Sequence, residues 1–153
     1  MSGGILFGNR LLDVAVISCF SAQFYKVFFP LFKGQKPQWA RLIQTGGMPS
    51  SHASTVVSLV TGVFLLKGFR SVEFAIAMVF AGIVLYDATG VRQQAGKHAR
   101  AINRLVDAIE HNDGIEIINE KFKELLGPTP IEVFWGSILG IAVGLLFKGY
   151  ILG

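Results

Sequence analysis

The stretch Pro49-Ser50-Ser51-His52 has the residue types to hold an anion and to hand it a proton. Proline suits the first turn of a helix and serine is a good N-cap. A helix start offers N–H groups without intrahelical partners and the positive end of the helix dipole, which together attract an anion. Gly46 and Gly47, just ahead, let the backbone approach a ligand closely. His52, in that first turn, is placed to donate a proton to a leaving group. The plainer alternative is a capped helix with an interfacial histidine, and so short a motif does not separate the two.

Other ionisable residues gather at the same edge. Lys26 lies near the end of an apolar run, where a charge is expensive and often functional, although lysine also snorkels to interfaces. Lys33 follows on the same side, and "YDATGVR" delivers Asp87 and Arg92, as site residues or as an interfacial ion pair. Arg41 is a further candidate beside Asp87. His98, among Lys97 and Arg100, is either a site residue or a solvated one. Glu132, at the start of the last apolar run, reads as a site residue or as a favourable acid in a first helical turn.

These residues need elements to position them. The chain has 153 residues, of which 52% are hydrophobic and only 16% charged. A soluble domain carries about 25% charged residues, and the mean hydropathy here is +0.53. Such a balance points to the bilayer. In that setting a net charge of +4 reflects loop orientation. No nucleic-acid motif is present, and no nucleic-acid partner is expected. The single cysteine, Cys19, precludes an intrachain disulfide.

Segments at about 11–32, 49–66, 72–88 and 131–152 are long enough to span the hydrocarbon. The first exceeds the h-region of a signal peptide and contains Gln23 and Lys26, so it is expected to be retained. Between the third and fourth, Ala95, Ala99, Ile102, Val106 and Ile109 form a helical stripe. "HNDG" breaks it, the spacing resumes at Ile115, Ile118, Phe122 and Leu125, and "GPTP" stops it. The expectation is one all-α membrane domain over residues 1–153. It has four transmembrane helices and an amphipathic hairpin at about 92–126, outside the bilayer between the third and fourth. Gly136, Gly140 and Gly144 recur at a spacing that lets helices approach closely, within the bundle or across a dimer.

Nine Lys/Arg residues flank the Pro49-Ser50-Ser51-His52 side of these spans and four the other. By the positive-inside tendency the site loops face the cytoplasm and both termini lie opposite.

Four separated blocks, "AQFYK", "TGGMPSSHAS", "YDATGVRQQAGKHA" and "ELLGPTPIEVFWGSILG", resemble in order the divergent branch of the type 2 phosphatidic acid phosphatase family. That family is related to bacterial acid phosphatases and vanadium haloperoxidases. The wider superfamily carries K-x6-R-P, then P-S-G-H, then S-R-x5-H-x3-D. The resemblance implies an all-helical core in which lysine and arginine bind phosphate, the P-S-G-H histidine protonates the leaving oxygen, and the last histidine attacks phosphorus. It implies no metal and no cofactor. The expected partner is a phosphorylated lipid, or lipid pyrophosphate, in a bacterial cytoplasmic membrane.

Residue by residue, Lys26 and Lys33 match the first motif, with lysine for arginine and Gly34 for proline. Ser50 and His52 match the second, with Ser51 in place of glycine, and Arg92 matches the third, with Val91 for serine. His98 fits R-x5-H, but Ile102 then holds the aspartate position. Alternatively the motif lies at "PTPIEVFWG", where Glu132 stands for aspartate and Pro128 holds the histidine position. Either the orienting acid or the nucleophile is missing, so a phosphatase and a non-catalytic headgroup binder or carrier both stand. Four spans are fewer than is common in the superfamily's lipid phosphatases, so a homodimer is expected to complete the assembly.

Overall fold

The computed structural model describes residues 3–30, 36, 47–113 and 127–153, with side chains except those of 91–93 and 108–113. Among the described residues there is no strand. The helices are α1 (Arg10–Phe28), α2 (Ser51–Lys67), α3 (Val72–Thr89), α4 (Val91–Asp113), α5 (Pro130–Leu146) and the short α6 (Lys148–Leu152).

Each apolar helix starts on a side chain that accepts an otherwise orphaned N–H. Asn9 caps α1 through Leu11 and Leu12, at 3.0 and 3.2 Å. Ser50 caps α2 through Ala53, and Ser71 caps α3 through Phe74. Thr129 caps α5 in a capping box with Glu132. Gly68, at φ 77°, ends α2 in the left-handed conformation that glycine adopts without a Cβ clash.

α2 is the hub, packed against α1, α3 and α5. Its buried face is small and polar: Ser51, Ser54, Ser58 and Thr61 recur at helical spacing. Their hydroxyls are satisfied across and along the helices. Ser18 and Ser54, both fully buried, have their hydroxyls 2.6 Å apart between α1 and α2, so one donates to the other while the second proton goes to the facing carbonyl, at 3.0 or 3.3 Å. Against the α2 stripe lie the glycines of α5. A Cβ at Gly136 would stand 2.4 Å from the Ser50 carbonyl oxygen, at Gly140 2.5 Å from that of Ser54, and at Gly144 2.7 Å from Thr61. The glycine stripe is therefore an intramolecular contact. In lipid, where apolar surface alone does not draw helices together, such close backbone approach and interhelical hydrogen bonds do.

α1 and α3 are long and apolar enough to cross a bilayer. α2 and α5, 17 residues each, are about 25 Å long, at the lower end of what spans the hydrocarbon. The large apolar side chains of α3, Ile76, Val79, Phe80 and Ile83 among them, are exposed on the bundle's outside, as a lipid-facing surface requires. This is an integral membrane bundle.

Three boundaries differ from expectation. The first helix ends at Phe28, short of residue 32. The last apolar segment is interrupted: Phe147 closes α5 and α6 departs from it. That turn seats Ile151 in a core with Val14 and Val143 and brings Tyr150 to Asp13. α4 continues through His111 to Asp113, and the second arm of the expected hairpin lies outside the described residues.

The Asp13 contact is a clasp that sequence reading missed. Asp13, buried in α1, accepts the N–H groups of Leu6 and Phe7 and the hydroxyl of Tyr150. The Tyr150 oxygen accepts the Ile5 N–H at 2.9 Å, and the Arg10 guanidinium lies 5.6 Å from the Tyr150 ring centre. An ionisable residue inside an apolar run was the available signal, the same one that marks Lys26.

Candidate functional site

Four helix ends meet at one edge of the bundle. Ala53 in the first turn of α2, Ala88 in the last turn of α3 and Val133 in the first turn of α5 form one buried cluster. The Ser50 N–H donates to the Glu132 carbonyl at 2.9 Å, tying the start of α2 to that of α5. The last turn of α1 completes the edge through Lys26.

Lys26 is 2% exposed. Its Nζ lies 3.5 Å from the Ser51 hydroxyl, a long hydrogen bond by ordinary geometry. It does not snorkel. The ammonium is carried inward to the first residue of α2, at the positive end of the helix dipole. Gly47 shapes the approach at φ 87°, where a residue with a Cβ costs about 1–2 kcal/mol. Among the described residues, a Cβ there would meet only the Lys26 stem at 3.8 Å. Conformation, not space, calls for glycine.

The other candidates divide by position. Ser50 is the N-cap: its Oγ accepts the Ala53 N–H and its own N–H is donated to Glu132. Ser51 is buried beside Lys26, and His52 is exposed in the same turn. Asp87 is half-buried next to Ala88, at the same edge. Arg92 lies in the first turn of α4, its side chain outside the description. Lys33 and Arg41 lie outside the described residues. His98 is exposed on α4, which is helical through Gly96 without interruption. It stands about 9 Å along the axis from Arg92.

Glu132 closes a capping box at the start of α5. Its Oε2 accepts the Thr129 N–H at 2.8 Å, while the Thr129 hydroxyl accepts the Glu132 N–H at 3.4 Å. Pro128, just before this cap, is buried.

Residues 7–143 match the family described as the Divergent PAP2 family. A relative in Bacillus subtilis (strain 168), named "Uncharacterized membrane protein YuiD", is 41% identical over 161 residues, covering 96% of this chain and 99% of that protein. No solved structure matches the chain. The buried lysine at a Pro-Ser-Ser-His helix start, the four converging helix ends and a match that runs through most of the chain lead to one conclusion: this membrane protein belongs to the divergent PAP2 family.

Proposed function

We propose that this protein binds the phosphate or pyrophosphate headgroup of a lipid at the start of α2, with Lys26 and Arg92 as cations and Ser51 as hydrogen-bond donor. The observation that carries this reading is the buried Lys26 ammonium beside Ser51. Lys33 is a third cation by its place in the motif. Exposed His52 is the group positioned to protonate a leaving oxygen, should turnover occur. The competing reading is a headgroup binder or carrier without hydrolysis, favoured by Pro128 or Ile102 at a position where the mechanism needs histidine or acid.

The test is anion binding by purified protein, with vanadate and inorganic phosphate as probes. A hydrogen bond to a charged group contributes about 1.5–3 kcal/mol, so Lys26→Ala and Arg92→Ala should each weaken binding by roughly ten- to a hundredfold. Wild-type affinity in both variants, with the fold intact, would remove the anion site.

The setting of the site belongs to the same proposal: four spans in a bacterial cytoplasmic membrane, with the site edge cytoplasmic. Nine basic residues against four support that orientation. With Cys19 replaced by alanine, a cysteine introduced at Ser2 should label from outside intact cells and one at Gln44 should not. The reverse pattern inverts the topology.

A further inference from the structure

An apolar groove descends from the same edge between α1 and α5. Ser21 and Tyr25 of α1 form one wall, Trp135, Ile138, Leu139 and Ala142 of α5 the other, and Met48 and Pro49 close its upper end. Those last two residues immediately precede the Ser50 cap, and Tyr25 immediately precedes Lys26, so the lining of the groove adjoins the candidate phosphate site in both helices. The Ser21 hydroxyl is satisfied by the Ile17 carbonyl at 2.8 Å, which leaves that wall apolar in effect. Tyr25 and Trp135 stand on opposite walls, both nearly half exposed, as amphipathic rings at a membrane edge do.

Its dimensions select the occupant. From Trp135 to Ala142 the groove runs about 10 Å along α5, about a third of the hydrocarbon thickness. A volume of about 320 Å³ is less than a helix of about 10–12 Å diameter would fill over that depth, and it admits an extended hydrocarbon chain. Another groove, about 670 Å³, is lined by Leu6 and one face of α1. It has no such link to the start of α2.

We propose that the α1–α5 groove holds the first part of the hydrocarbon chain of the phosphorylated lipid, selecting a single-chain or splayed-chain lipid phosphate over a free phosphate. The inference rests on the reading of Lys26 and Ser51 as the phosphate site. The phosphate enters at the edge, and the chain leaves it downward past Pro49 between Tyr25 and Trp135.

The experiment compares octyl phosphate, kept below its micelle-forming concentration, with inorganic vanadate on the purified full-length protein. Ala142→Phe and Ile138→Trp fill the groove from exposed positions. Each should weaken octyl phosphate by roughly tenfold, as losing about two buried methylenes does, and leave vanadate within about twofold, well under the tenfold step. Unchanged octyl phosphate affinity in both variants, or equal weakening of both probes, overturns the groove assignment. So does a shift between dimer and monomer with octyl phosphate unaffected, which would make the groove a contact between copies. Lys26→Ala separates the two layers: loss of vanadate binding there, with the groove variants indifferent to chain, retains the phosphate site and rejects the groove alone.

Discussion

Gly140→Leu should cost the bundle more than about 3 kcal/mol, with Gly140→Ala at about 1–3 kcal/mol, the range for overpacking. The atoms in the way are backbone. A Cβ at Gly140 stands 2.5 Å from the Ser54 carbonyl oxygen and 3.0 Å from the Ser58 nitrogen, and neither can rotate aside as a side chain would. Alanine's advantage over glycine in a helix, about 1 kcal/mol, offsets only part of that. Gly82 is the control. It lies mid-helix in α3, exposed, with nothing within 4 Å of a Cβ, so Gly82→Leu should leave stability unchanged or raise it by up to about 1 kcal/mol. Unfolding of the detergent-solubilised protein by added SDS, followed by circular dichroism, reads all three. Equal effects at Gly140 and Gly82 would show that the α2–α5 contact does not hold the bundle.

What could be read from the chain alone follows the range of the signal. Caps are local, and Ser50, Ser71 and the Thr129–Glu132 box announce themselves within four residues. The glycine stripe at Gly136, Gly140 and Gly144 is equally local, although only packing shows that its partner is α2. Lys26 stood out because a charge within an apolar run is costly, and it is buried against Ser51. Long-range pairings carry no such sign. Tyr150 meets Asp13 across 137 positions, and Ser18 meets Ser54 across 36, with no periodicity to join them. Hydropathy also cannot see the turn at Phe147, because it sums side chains and not backbone angles. Glu132 illustrates the boundary: a first-turn acid and a catalytic acid look alike in one dimension, and here the carboxylate accepts the Thr129 N–H.

Pro128→His should raise lipid-phosphate hydrolysis by at least about tenfold, equivalent to about 1.4 kcal/mol of barrier, while His98→Ala should change it by less than about twofold. The two substitutions separate the alternative placements of the attacking histidine. A nucleophile must come within roughly 3–3.5 Å of phosphorus. α4 is helical through Gly96, so His98 lies about 9 Å along the axis beyond Arg92, and it is exposed. Position 128 precedes Glu132 by four residues, just outside α5, and the Glu132 carbonyl accepts the Ser50 N–H at 2.9 Å. The expected gain rests on that tie between the start of α5 and the start of α2, where the phosphate is proposed to bind. A histidine there would attack phosphorus through a ring nitrogen and form a phosphohistidine. The lipid oxygen would leave with the proton from His52, and water would then release phosphate. The readout is phosphate release from a lipid-phosphate panel together with trapping of the phosphohistidine, and adding His52→Ala to Pro128→His should abolish the gain. Retention of the wild-type unfolding midpoint would show that Pro128→His leaves the α5 cap intact. Loss of a genuine activity in His98→Ala, with no gain in Pro128→His, would place the nucleophile on α4 and require α4 to bend toward Lys26 when lipid binds.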